Sequence, residues 1–99
     1  MARGGSPTRV GLVVHPTRDV DDELAALRRW AREHGAEIVQ VDDQEREFAE
    51  RGDVEDTDLV VTLGGDGTML SGIAVAGRAN RPVLGAACGS LGVLTAVEV

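Results

Sequence analysis

The sequence predicts an α/β fold in one domain, a parallel sheet flanked by helices, and three observations predict it. Arg9-Val10-Gly11-Leu12-Val13-Val14 and Leu59-Val60-Val61-Thr62-Leu63 are short, nearly continuous apolar runs of the kind found in strands buried on both faces. Between such runs lie segments with apolar residues at helical spacing, and strands alternating with helices imply βαβ units. Glycine-rich turns follow two of the runs, at the carboxyl ends of parallel strands where ligands collect in such sheets.

Taken in order, the first strand ends at His15-Pro16. Thr17 or Asp19 is placed to cap the helix that follows, with Asp21-Asp22-Glu23 in its first turn, Leu24, Leu27 and Ala31 on its apolar stripe, and Gly35 as its terminator. Glu37-Ile38-Val39-Gln40-Val41 reads as a second strand. From Asp42 to Asp58 the chain is acidic and polar, broken only by Phe48, Ala49 and Val54, and is expected to be a surface helix or loop. After the third strand, Leu59 to Leu63, comes Gly64-Gly65-Asp66-Gly67. Thr68 then opens an apolar helix over Met69 to Ala76, ending near Gly77. Pro82 to Ala86 forms a further strand, and a glycine-rich segment from Gly85 to Gly92 leads into Val93-Leu94-Thr95.

Composition narrows the function. The chain has 99 residues, 42% of them hydrophobic, with 10 basic against 17 acidic side chains, a formal charge of −7. All ten basic residues are arginine. The acidic excess repels a phosphate backbone, and one Phe, one Trp and no Tyr leave no stacking platform, so nucleic-acid binding is not expected. The lone cysteine, Cys88, forms no internal disulfide and fits a reducing compartment, with cytoplasm as the default; no export signal or membrane segment is visible.

Gly64-Gly65-Asp66-Gly67-Thr68 carries the most chemistry. Glycines between a buried strand and a helix let the backbone turn sharply and present its amides to a phosphate. Asp66 in that turn is a carboxylate able to accept a proton from a substrate hydroxyl, or simply a helix cap. A lysine-containing phosphate loop is excluded because the chain has no lysine, and no G-x-G-x-x-G follows the first strand. Elsewhere, His15 is expected to be structural or exposed more than ligand-facing. Cys88 is a small packed side chain, Trp30 a core or contact residue, and Glu45-Arg46-Glu47 with Glu50-Arg51 a solvated face.

Leu63 to Leu70 resembles the GGDGT motif of NAD kinases, shared more distantly with lipid kinases and phosphofructokinases. Pro82-Val83-Leu84-Gly85-Ala86-Ala87-Cys88-Gly89-Ser90-Leu91-Gly92-Val93-Leu94-Thr95 is similar to the P-x-L-G-x-N-x-G-x-L-G-F-L stretch of NAD kinases, and Val10 to Pro16 to their first strand and turn. The resemblance covers nearly the whole chain and implies a Rossmann-like N-terminal lobe over residues 1–99, with the family's second, β-rich domain absent from this chain. It implies transfer of a phosphoryl group from ATP, or inorganic polyphosphate, with magnesium, to the 2′-hydroxyl of the adenosine ribose of NAD. Asp66 matches the catalytic aspartate, Gly64, Gly65, Gly67 and Thr68 the nucleotide-binding loop, and no residue is assigned to metal. The whole protein is expected to assemble as a dimer or tetramer, and the lobe alone to be inactive.

Three positions depart from the family pattern. Ala87 stands where asparagine is common, Val93 where phenylalanine is common and Ser71 where a basic residue is common, all three at positions expected to line the NAD pocket. Two rival readings follow, a lipid-kinase catalytic lobe and a non-catalytic nucleotide-sensing module.

Overall fold

The computed structural model describes residues 8–87 and 90–97, with side chains described for 8–65 and 67–85. Five strands form one sheet in the order β2-β1-β3-β4-β5: β1 is Arg9–Val14, β2 Glu37–Gln40, β3 Leu59–Leu63, β4 Val83–Ala87 and β5 Ser90–Val97. Two helices connect them, α1 over Asp21–His34 and α2 over Asp66–Gly77. The first four strands are parallel, as the alternation of strand and helix predicts.

Strand periodicity places the core. Val10, Leu12 and Val14 of β1 and Leu59, Val61 and Leu63 of β3 share one face and pack with Leu24 and Leu27 of α1. Val13, Val60 and Val83 lie on the other face with Val75 and Ala76 of α2. The two helices therefore cover opposite faces, which explains why β1 and β3 carry no polar face. Trp30 is half-buried against the α1 side of this core, and its ring stacks on His34 with centroids 4.7 Å apart.

Helix α1 ends as expected, with Gly35 left-handed at φ +66° and its N–H donated to Ala31 O. Its start differs. Val20, fully buried, occupies the cap position, and Asp19 acts from one residue further out by accepting the Asp21 N–H at 3.0 Å. Helix α2 begins at Asp66 rather than near Thr68, because Gly65, with φ +104°, turns the chain directly into the helix.

Two regions correct the sequence expectation. The glycine-rich segment from Gly85 to Gly92 does not merely lead into Val93-Leu94-Thr95: Gly85 to Ala87 belong to β4, and Ser90 to Gly92 already belong to β5, which pairs antiparallel with β4. The segment after β2 is not a solvated face throughout. Gln40, 1% exposed, donates from Nε2 to Asp42 Oδ1 and Arg46 O, and its Oε1 accepts the Phe48 N–H, so one buried amide organises the loop. Arg51 adds a parallel bridge to Gln40 and donates to the carbonyls of Asp42 and Gln44. A single 3-10 turn, Val54–Asp56, then leads to β3. At the amino end of the parallel strands, Asp58 Oδ2 accepts N–H bonds from Thr8 and Arg9 and the Thr8 hydroxyl, joining the starts of β1 and β3.

Candidate functional site

In the order β2-β1-β3-β4, the chain leaves β1 toward one side and β3 toward the other. The loops after β1 and β3 consequently part and leave a crevice at their carboxyl ends. The register Val14↔Leu63 brings those loops side by side, and the His15 N–H extends the ladder to Leu63 O at 2.9 Å. The first loop carries His15 to Asp19, the second Gly64 and Gly65.

The second loop requires its glycines. Gly64 has φ +129° and Gly65 φ +104°, where a side chain is strained. A Cβ on Gly64 would be driven into His15 Cβ and would lie 2.9 Å from Thr68 Oγ1, and one on Gly65 would lie 2.9 Å from Arg18 Nη1. Asp66 follows at the first position of α2, where the unpaired amides of the helix start favour negative charge; its side chain lies outside the described residues.

The first loop is held from two sides. His15 Nδ1 accepts N–H bonds from Thr17 at 3.1 Å and Arg18 at 3.0 Å. A ring nitrogen accepting two amides carries no proton, which leaves Nε2 as the ring's donor. Arg46 Nη1 donates to His15 O at 2.7 Å and Arg18 O at 2.8 Å, while its guanidinium carbon lies 5.0 Å from the centroid of the Phe48 ring. Arg46 is thus a strut between the β2 loop and the site rather than a solvated charge. Asp42 helps: where β2 stops, its Oδ2 accepts the Val14 N–H at 2.7 Å and so replaces the missing ladder partner of the last β1 residue.

The start of the first loop, the segment after β2 and helix α2 border a groove of about 470 Å³ lined by His15, Pro16, Asp42, Asp43, Gly67, Thr68, Ser71 and Arg78. Thr68 is 4% exposed, and its Oγ1 has no hydrogen-bond partner among the described residues. An orphaned buried hydroxyl costs about 1–3 kcal/mol, and a ligand oxygen reaching this groove would offset that cost. Arg18 Nη1 donates to Gly64 O at 3.0 Å and sets a guanidinium directly on the glycine turn. No helix among the described residues is long and apolar enough to cross a membrane.

A model of the ATP-NAD kinase N-terminal domain matches residues 10–99 of the chain. The chain belongs to this family. It is 41% identical over 96 residues to NAD kinase 1 of Streptomyces avermitilis, covering 91% of this chain and 27% of that protein. It is 43% identical over 96 residues to NAD kinase 1 of Streptomyces coelicolor, covering 90% and 26%, and 33% identical over 90 residues to the NAD kinase of Campylobacter lari, covering 91% and 32%. The chain thus spans roughly a quarter to a third of the length of these curated relatives.

Within this NAD kinase domain, the structure brings some of the sequence-selected residues together and separates others. Gly64 and Gly65 form the turn, and Gly67, Thr68 and Ser71 line the groove with His15. Ala87 ends β4 at the same edge of the sheet, whereas Val93 lies within β5; the side chains of both are outside the described residues, as is Cys88. Sequence reasoning missed Arg18, Arg46, Gln40 and Asp42. One signal for Arg18 was present: it lies in the loop after β1, the loop that must neighbour Gly64 once β1 pairs with β3.

Proposed function

We propose that the whole protein to which this chain belongs is an NAD kinase, and that this domain supplies the nucleotide-binding turn and the proton acceptor. The observation that carries the reading is the Gly64 to Thr68 turn at the crevice between β1 and β3, ending in a buried Thr68 hydroxyl that lacks a partner among the described residues. Backbone amides at the start of α2 receive phosphate oxygens, and the glycine turn lets the nucleotide approach the main chain. The 2′-hydroxyl oxygen of the adenosine ribose bonds to the terminal phosphorus of ATP or polyphosphate. The bond from that phosphorus to the leaving phosphate oxygen breaks, and the hydroxyl proton passes to the Asp66 carboxylate. Charge moves onto the transferring and leaving oxygens in such a reaction, so positioning and nearby donors contribute most of the acceleration.

Magnesium, bound with the donor, neutralises phosphate charge. The ion would be held mainly by the donor's phosphates and its own waters, and no residue of this chain is assigned to it. The remaining NAD contacts, and assembly into a dimer or tetramer, fall to the part of the protein beyond this chain. The family match favours this reading over the lipid-kinase one. Ser71, Ala87 and Val93 bear on substrate preference and affinity, and cytoplasm is the working location.

NADP formation by the full-length parent with NAD, ATP and magnesium tests the proposal. Asp66→Asn is expected to remove at least about 100-fold of the rate while leaving NAD binding intact, in the range a positioned proton acceptor contributes. A folded parent that binds NAD but makes no NADP from ATP or polyphosphate would instead be a nucleotide sensor.

A further inference from the structure

We infer that Arg18 is the phosphate-binding cation of this site, delivered from the loop after β1 rather than from α2. The inference rests on the nucleotide-binding reading above. In this chain position 71, on the helix that follows the glycine turn, is serine, and the −7 charge makes local cations scarce. Arg18 sits where such a charge acts. Its Nη1 reaches across 46 residues to Gly64 O at 3.0 Å, and the same atom lies 2.9 Å from where a Gly65 Cβ would stand.

One donor is spent on Gly64. A guanidinium has five N–H donors in a rigid planar fork, so four remain for another acceptor. No carboxylate among the described residues is paired with Arg18, whereas Arg9 has one and Arg51 two. The backbone beneath it is fixed: its N–H is bonded to His15 Nδ1 and its carbonyl to Arg46. A cation pre-positioned on the glycine turn that opens α2, a helix whose first turn carries a Thr68 hydroxyl with no partner among the described residues, is suited to a planar two-oxygen grip on phosphate. It also tethers the Gly64 carbonyl, which keeps that oxygen's negative charge paired.

The phosphate belongs either to the phosphoryl donor or to the NAD pyrophosphate, and the full-length parent separates the two. Tripolyphosphate binding by calorimetry and KM for ATP and for NAD are measured on wild type, Arg18→Gln and Arg18→Lys, with Arg29→Gln on the exposed side of α1 as control. Loss of a charge-assisted hydrogen bond in Arg18→Gln is expected to weaken tripolyphosphate binding or raise one KM by at least about tenfold, with Arg18→Lys, which keeps the charge but not the planar fork, recovering part of it. A rise in KM for ATP assigns the guanidinium to the donor, and a rise in KM for NAD assigns it to the dinucleotide. The inference falls if Arg18→Gln stays within about twofold of wild type, or if the lysine and glutamine variants are equally impaired, since the role would then be confined to holding Gly64. A parent that makes no NADP but binds tripolyphosphate in an Arg18-dependent way refutes the kinase reading and keeps this one; a parent that does neither refutes both.

Discussion

Gly64→Ala isolates the geometric demand of the turn. Two costs add at this position. A left-handed backbone costs a non-glycine residue roughly 1–2 kcal/mol. The new methyl would also meet His15 Cβ and Thr68 Oγ1, and overpacking of that kind costs about 1–3 kcal/mol. The sum, about 2–5 kcal/mol, is a large share of the roughly 5–15 kcal/mol that holds a domain folded. Gly35 provides the ruler, because it too is left-handed, at φ +66°, yet has nothing within 4 Å of its would-be Cβ. Gly35→Ala should therefore cost only about 1 kcal/mol. In urea, followed by the fluorescence of Trp30, slopes near 1–1.5 kcal/mol/M translate these into midpoint shifts of about 1.3–5 M and about 0.7–1 M. A double variant with His15→Gly should recover part of the difference, as expected for contacting residues. Equal losses for Gly64→Ala and Gly35→Ala would refute the argument that His15 and Thr68 enforce this glycine.

The remaining predictions address three other links. Gly67 lines the groove with open space around its would-be Cβ, so Gly67→Ala should leave stability unchanged or raise it by up to about 1 kcal/mol while cutting NADP formation by the parent at least about tenfold; unaltered turnover would remove Gly67 from the nucleotide site. Gln40→Leu leaves the Phe48 N–H and the Arg46 carbonyl without their partner and should cost about 2–4 kcal/mol, with hydrogen exchange accelerated first at Phe48. The Thr8 backbone N–H, followed by the Thr8 hydroxyl, holds the Asp58 carboxyl below its ordinary value of 3.8. A carboxylate depressed on folding adds stability above its unfolded value and loses it as pH falls through the folded one, so this contribution vanishes below pH 3.8. Asp58→Asn should flatten that part of the acid unfolding curve, and an unchanged curve between about pH 4 and pH 2 would count against the linkage.

The parallel core was legible because its physics is local. Runs such as Val10 to Val14 and Leu59 to Val61 have no polar side, so both faces must be covered, and a helix on each face is the simple solution. Gly35 was legible for the same reason, as a helix stop that needs a left-handed residue. The antiparallel β5 was not, because glycines such as Gly85 and Gly92 suit a strand as well as a loop, and pairing partners decide between them. Nor was the strap after β2. Its charges read as a solvated face, yet one buried glutamine and the stacking of Arg46 on Phe48 give it a fixed path.

The site was half legible, and the division follows from where its groups come in the chain. Gly64 to Thr68 is contiguous, so its turn geometry and its place before a helix are written in five adjacent residues. Arg18 and Arg46 act on that turn from 46 and 28 residues away from their respective partners, Gly64 and Arg18, and only strand register brings them there. In a sheet buried on both faces that register is firmly set: slipping β1 by one residue against β3 would exchange the side chains of Val13 and Leu12 between the two helix-covered faces. The same pairing that packs the core therefore fixes the first loop against the second. His15 fills the space Gly64 leaves, its Nδ1 turns the chain, and the turn ends with a guanidinium on the Gly64 carbonyl. A glycine turn of this kind contributes direction and space but no charge. In this domain the charge arrives from the neighbouring strand, and its placement depends on the packing of Val14 beside Leu63 as much as on any residue of the turn itself.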